Sequence, residues 1–462
     1  MKRTLLAVLL CGTAISSAPA SAADTDLAAI KAQLNALDHE YRAKIASLEA
    51  RLKKAEADAK NAKVSATAAQ VAANSSATAA QKTVAVAQAA PATEPSPSQT
   101  VLARTPTSAN AFNPAIGVVL NGFFAASSRD TDNQPIRGFV LGDEAGLVPR
   151  GFSLGESEVN FAANIDPYFT GQLVLSISNS GAANVEEAYI ATSGLGGGFT
   201  VKAGRFLSAI GYLNEHHAHQ WSFSDASLPY RAFLGGQLGD DGVQVKWLAP
   251  TDIFLEFGAE WLRGDSFPAG NGANEGKGSV TAFVHAGDDI DDSSNWLAGL
   301  SYLHTRADDR NTDGDIFNGT DDIGIASLIY KWAPGGNPTQ RNLALSGEFF
   351  LGRERGSFDG MPVDLLRSGG YVQGVYQFMP RWSLGLRYAQ VTPDDVPAAL
   401  TGSALDDFGH TPRATTALLE FDTTEFGRFR LQYTHDQSDL KPNDEILFQY
   451  TVTYGAHGAH RY

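Results

Sequence analysis

Cysteine is almost missing from this 462-residue chain: Cys11 is the only one. It lies in an apolar stretch, Leu5 to Ile15, that follows Lys2 and Arg3 and precedes the small residues Ala20-Ser21-Ala22. This is the layout of a secretory signal peptide cleaved after residue 22, and Leu10 is too large for the small residue a lipoprotein signal needs before its cysteine. The expected mature chain then has neither disulfides nor thiolate chemistry. Also missing after the leader is any run of about 18 apolar residues, which excludes a transmembrane helix. Positive charge is scarce, with 35 Lys plus Arg against 51 Asp plus Glu and a net charge of −16. That balance and the lack of a basic patch exclude nucleic acid as a partner. No phosphate-cradling Gly-Lys-Ser/Thr and no dinucleotide fingerprint occurs.

What the chain does have is period-two alternation. In Ile446-Leu447-Phe448-Gln449-Tyr450-Thr451-Val452-Thr453-Tyr454-Gly455-Ala456 the even positions are apolar or aromatic and the odd ones mainly small or polar. One greasy face and one wet face make a half-buried strand. The pattern recurs back to about residue 115 in segments near ten residues long, the signature of a transmembrane β-barrel. Sixteen strands are expected, near 115–127, 152–165, 168–179, 185–194, 199–206, 239–248, 251–262, 277–287, 293–305, 322–333, 340–353, 367–378, 381–392, 411–422, 425–436 and 443–457. An even count puts both barrel ends on the periplasmic side. It also makes Asp166-Pro167, Leu248 to Thr251, Met379 to Arg381 and Asp422 to Thr424 short periplasmic turns, and the remaining connections are expected as long outer loops. Trp382, Leu384, Leu386 and Tyr388 alternate with Ser383, Gly385, Arg387 and Ala389; Phe429, Leu431 and Tyr433 alternate with Arg428, Arg430 and Gln432. An Arg facing lipid costs roughly 2 to 4 kcal/mol near the midplane, so Arg387, Arg428 and Arg430 belong in the lumen, with Arg205 expected beside them. Aromatic residues at segment ends, among them Tyr168, Trp247, Trp261, Trp332 and Trp382, suit interfacial girdles.

Before the barrel, Leu27, Ile30, Leu34, Leu37, Tyr41 and Leu48 follow a three-four spacing in an Ala-, Lys- and Glu-rich segment. It predicts a helix over 23–63, either a periplasmic coiled-coil stalk or a helix lying against the barrel. Residues 64–112 are Ala/Ser/Thr-rich and then Pro-rich, a linker. The expected organisation is therefore signal peptide 1–22, coiled-coil helix 23–63, linker 64–112 and an all-β transmembrane barrel over 113–462.

Glu187-Ala188-Tyr189-Ile190, the Gly-rich turn Gly194 to Gly198, Val201-Lys202-Ala203-Gly204-Arg205-Phe206 and Ile210-Gly211-Tyr212-Leu213-Asn214 together resemble the central block of the phosphate-selective porin (porin O and P) superfamily. The resemblance implies a trimeric, sixteen-stranded outer-membrane channel, in some members with an N-terminal coiled coil. The ending Gly455 to Tyr462 also resembles proteobacterial barrels labelled zinc-regulated outer-membrane receptors. The implied phosphate substrate fits this chain poorly, because residues 113–462 hold 23 Lys plus Arg against 43 Asp plus Glu, a field that repels phosphate at long range.

Three local motifs remain. Glu215-His216-His217-Ala218-His219 lies in the 207–238 connection, expected to fold inward and narrow the channel; its side chains suit Zn²⁺ or Cu²⁺, or else form a hydrated loop titrating near pH 6 to 7. His457 and His460 fall at the opposite, periplasmic rim. Asp309, Asn311, Asp313 and Asp315 space oxygens as in the first half of a calcium loop, although Thr320 stands where a bidentate Glu is needed; an acidic outer loop facing lipopolysaccharide is the plainer account. Gly151-Phe152-Ser153-Leu154-Gly155 spells a nucleophile elbow but opens a barrel strand, so no enzyme is expected. The leading expectation is a passive outer-membrane porin, trimeric and with no required cofactor, for small hydrophilic solutes or ions. A divalent-metal binding or uptake protein is the alternative, and a tether between outer membrane and cell wall the third reading.

Overall fold

The computed structural model describes residues 114–455, except 132–133, 143–144, 179–180 and 271–277, together with Lys53. The expected signal peptide, coiled coil and linker, and His457 and His460, lie outside the described residues.

Seventeen strands form one antiparallel sheet that closes on itself. In chain order they are β1 (Ala115–Ser127), β2 (Gly151–Leu154), β3 (Ser157–Asn164), β4 (Phe169–Ile177), β5 (Ala183–Thr192), β6 (Phe199–Leu207), β7 (Gly239–Leu248), β8 (Phe254–Leu262) and β9 (Ser279–Asp291). The series continues with β10 (Ser294–Thr312), β11 (Asp315–Trp332), β12 (Asn342–Phe358), β13 (Met361–Met379), β14 (Trp382–Thr392), β15 (Arg413–Thr424), β16 (Gly427–Gln437) and β17 (Asn443–Gly455). Each strand pairs with the next in sequence except β2, since β2 and β3 both lie against β1. Closure comes from β17 against β1, where Leu120 faces Val452 and Phe124 faces Phe448.

β2 and β3 are one stave broken by a slip. Gly122 pairs with Leu154 while Val119 pairs with Glu158, so an extra residue is absorbed at the break, and the Asn121 N–H donates to Ser157 Oγ at 3.1 Å there. The described barrel therefore has sixteen staves, the expected number. Every strand sits where alternation places it, to within a few residues at most ends.

The faces follow the alternation. On β14, Leu386 is 67% exposed on the outside while Arg387 is buried inside. An outward apolar belt on a closed barrel leaves no backbone group unpaired in lipid. Aromatic pairs mark the turn end: Trp247 stacked on Phe257 at 5.7 Å, Trp382 tilted against Phe421 at 4.6 Å and Phe429 stacked on Tyr450 at 4.8 Å. Among the described residues no helix is long and apolar enough to cross a membrane.

The outer connections differ from expectation. β10 to β13 are 17 to 19 residues long, well beyond the 9 to 11 or so that cross a bilayer. At the outer end they are joined by two-residue turns where long loops were expected. Asp313-Gly314 and Asp359-Gly360 make the two outer turns, all four residues at positive φ. That is the type I′ geometry Asp-Gly favours, because its twist matches that of the strands it joins.

Candidate functional site: a segment folded into the lumen

Residues 208–238 leave β6 at the outer end and turn into the barrel. The wall holds the two halves of this segment by opposite chemistry. The first half offers N–H groups, and lumen-facing carboxylates accept them. Glu260 on β8 takes the Ala209 N–H at 2.9 Å and the Ser208 hydroxyl. Glu348 on β12 takes the Tyr212 N–H at 2.6 Å, the Leu213 N–H at 3.4 Å, the Tyr230 hydroxyl at 2.9 Å and the Tyr371 hydroxyl at 2.6 Å. Gly211 sits between them at φ +67°, where a Cβ would lie 2.6 Å from Glu348 Oε1 and 2.7 Å from the Tyr230 hydroxyl.

The next stretch offers carbonyl groups, and lumen-facing arginines donate to them. Arg428 donates to the His219 carbonyl, Arg430 to the Trp221 carbonyl at 2.5 Å and Arg387 to the Asp225 carbonyl at 2.9 Å. Arg387 also donates to the Asp225 carboxylate at 2.7 Å, and Arg430 to Glu420 at 2.6 Å. Charge-assisted bonds of this kind are about twice as strong as neutral ones. The three arginines face the lumen as their alternation implies, yet Arg430 is only 1% exposed. They act as latches for the segment.

Between the latches lies an apolar underside. Ile210, Leu213, Leu228, Tyr230, Phe233 and Leu234 are buried against Leu303, Ile323, Ile325, Phe350 and Val391 of the wall. The short helix α1 (Leu228–Leu234) supplies most of it, with Tyr230 edge-on to Phe350 at 5.2 Å and Phe233 stacked on it at 5.6 Å. Ile136 and Phe139 of the 128–150 connection join this core. The lumenal wall is thus not polar throughout. One side of the wall is apolar because it carries the segment.

The histidines divide. His217 and His219 turn to the β3–β5 wall with their rings stacked at 5.7 Å. Nδ1 of His217 is 3.1 Å from Glu186 Oε1 and 3.5 Å from Glu158 Oε2, and its Nε2 is 3.2 Å from Glu187 Oε2. His219 Nδ1 is 2.7 Å from Glu158 Oε1. Burial alone lowers the His217 pKa, but the bonds to Glu186 and Glu187 and the charge of Glu158 outweigh it and hold it well above the ordinary imidazole value. His217 is therefore not the neutral-range titrating group expected. His216 bonds the Tyr212 carbonyl through Nδ1 at 2.7 Å, and Glu215 pairs with Lys246 at 3.4 Å. The contiguous quartet does not converge; three carboxylates distant in sequence replace half of it.

Two adjacent glutamates reach the lumen together because β5 is bulged. Val174 pairs with Glu187 and Leu175 with Val185, leaving Glu186 as the extra residue. A bulge re-aims a side chain that strict alternation would turn the other way.

Arg205 departs from its expected place. Its neighbour Phe206 is buried in the lumenal core, so Arg205 faces outward, 42% exposed and bidentate to Asp241 at 2.7 and 3.1 Å. Lys202 takes the inward place on β6, 4.6 Å above the Tyr189 ring. The calcium-spaced residues straddle the β10–β11 turn: Asp309 accepts from the Asn318 side chain at 2.8 Å and Asn311 Oδ1 from the Gly314 N–H at 3.0 Å. Gly151 to Gly155 spans β2 with no helix after it, so a nucleophile elbow does not form.

No protein-family model matches the chain. A protein of Aquifex aeolicus (strain VF5), described as uncharacterized, is 32% identical over 390 residues, covering 77% of this chain and 81% of that protein. The chain belongs to the family of that protein. Solved structures it is similar to include the outer-membrane channel DcaP of Acinetobacter baumannii (11% identity, TM-score 0.48, 74% of this chain and 97% of that one). Others are OprB of Pseudomonas putida (13%, 0.47, 74% and 94%) and an anion-selective porin from Comamonas acidovorans (10%, 0.46, 74% and 99%). The closed barrel and its apolar outer belt place this family member in a bacterial outer membrane.

Proposed function

We propose that the protein is a porin, a passive water-filled channel for small hydrophilic solutes or ions whose aperture is set by residues 208–238. The observation that carries this reading is the latched segment itself. A sixteen-stave barrel is wide enough to hold water, and here the 208–238 connection, tied to the wall by side chains and packed on Ile136 and Phe139 of residues 128–150, crosses part of that space. The chemistry expected of the protein is passage, with no catalysis. The barrel segment's acidic excess favours cations in the mouth of the channel. Assembly as a homotrimer is the expectation the porin resemblance supplies.

Single-channel recording in planar bilayers tests it. Discrete conductance steps that grow when residues 212–234 are replaced by a short Gly-Ser linker are expected. A folded barrel, resistant to unfolding in cold detergent yet silent both before and after the replacement, would overturn the reading.

A further inference from the structure

We propose that Glu158, Glu186 and His217 form a binding site for a transition-metal dication, with Zn²⁺ as the probe, where the inward segment meets the β3–β5 wall. One donor atom from each of the three lies within 4.8 Å of the others. The closest approaches, 3.1 Å from His217 Nδ1 to Glu186 and 3.5 Å to Glu158, are near the edge length of a zinc tetrahedron. Ligands at about 2.0 to 2.2 Å from a tetrahedral ion stand roughly 3.3 to 3.6 Å apart. Small side-chain shifts would suffice to enclose the ion.

The surroundings are built for the same purpose. Glu187 sits on the other ring nitrogen of His217 at 3.2 Å, the carboxylate–histidine arrangement that orients a metal-bound imidazole. His219 holds the far oxygen of Glu158 at 2.7 Å, so that the near one is left toward His217. Glu186 Oε2 is buried and has no hydrogen-bond partner among the described residues. An acceptor left in that state costs free energy unless a cation or donor takes it. The site gathers three carboxylates about two imidazoles, with Lys202 near Glu187 and Arg428 on the His219 carbonyl. Mixed carboxylate and imidazole donors suit Zn²⁺ and its first-row neighbours more than Ca²⁺ or Mg²⁺.

This inference does not depend on the channel reading, because binding is measured on protein in detergent with no current recorded. Full-length folded protein would be stripped with a chelator and titrated with Zn²⁺ by calorimetry, with bound metal counted by elemental analysis. One tight Zn²⁺ per protomer is expected. Glu186→Gln, which keeps shape and removes charge, should weaken that step at least tenfold, as should Glu158→Gln. Glu187→Gln should weaken it about 10- to 100-fold through the imidazole it orients. Glu215→Gln and His216→Ala should leave it unchanged. Absence of saturable binding in the wild type would overturn the site. So would a Glu158→Gln, Glu186→Gln double variant that keeps its heat-resistant gel mobility and binds Zn²⁺ as the wild type does.

Discussion

Glu348 shows how much one side chain can organise. Four donors converge on a carboxylate that is 3% exposed, and each donor left without an acceptor costs about 1 to 3 kcal/mol. Glu348→Ala is therefore expected to free the first half of the inward segment while the wall, held by strand pairing, survives. Limited chymotrypsin digestion should then cut near Tyr212 or Tyr230 at least several-fold faster with the folded gel mobility intact; an unchanged cutting rate refutes this. Gly211→Ala should act in the same direction, since its Cβ would displace the same carboxylate. At this scale the sequence was only half legible. His217 and His219 announced themselves as a run, whereas Glu158, Glu186 and Glu187 lie 61, 31 and 30 residues from the histidines they meet. No local spacing joins such groups, and the bulge that turns Glu186 inward leaves no mark in the alternation. Arg205 was misplaced for a related reason: in Lys202 to Phe206 both a cation and its neighbour fit either face until Phe206 finds a core to fill.

Among elements, the strands were the legible part, because a lipid face and a lumen face impose period two on every stave. The outer ends were less so. Polar residues continue on both faces of β10 to β13 beyond the apolar belt, which reads as loop, and only the Asp-Gly pairs at 313–314 and 359–360 signal hairpins. The outer connections are tied by charge. Asp439 receives Arg129 and Arg137, each at 2.7 Å, joining residues 128–150 to the β16–β17 connection. Burial pushes the Asp439 carboxyl up, but the two guanidinium bonds outweigh it and hold the pKa below the ordinary 3.8. A depressed pKa means that the tie is complete above the unfolded value and lost as pH falls through the lower, folded one. A spin label at Leu440→Cys should keep constant mobility from pH 8 to 5 and loosen only below pH 3.8 or so. Loosening already at pH 5 would contradict the ion-pair account. In Asp439→Asn the label should be mobile at every pH.

For the molecule as a whole, the arginines bear on selectivity. A ladder of free guanidinium groups would draw anions through the pore, but Arg387, Arg428 and Arg430 are spent on the carbonyls of residues 219–225. With a net charge of −16 on the chain, the reversal potential under a KCl gradient should lie on the cation side, and more so at low salt, where screening is weaker. An anion-side potential would mean that lumenal positive charge governs permeation after all. Arg387→Ala should alter conductance or its noise, through the released Asp225, more than it alters selectivity.

The same latches bear on how the chain reaches this state. Tyr212 meets Glu348 across 136 residues of sequence and Arg430 meets Trp221 across 209, on staves from well-separated parts of the wall. None of those sockets is in position until the sheet has curled far enough to bring β8, β12, β14 and β16 around a common interior. Closing loops of that length costs entropy that only the finished wall repays. Docking of residues 208–238 is thus a late event of folding, and time-resolved hydrogen exchange should find the staves protected before the segment they enclose. The gate is fitted after the walls.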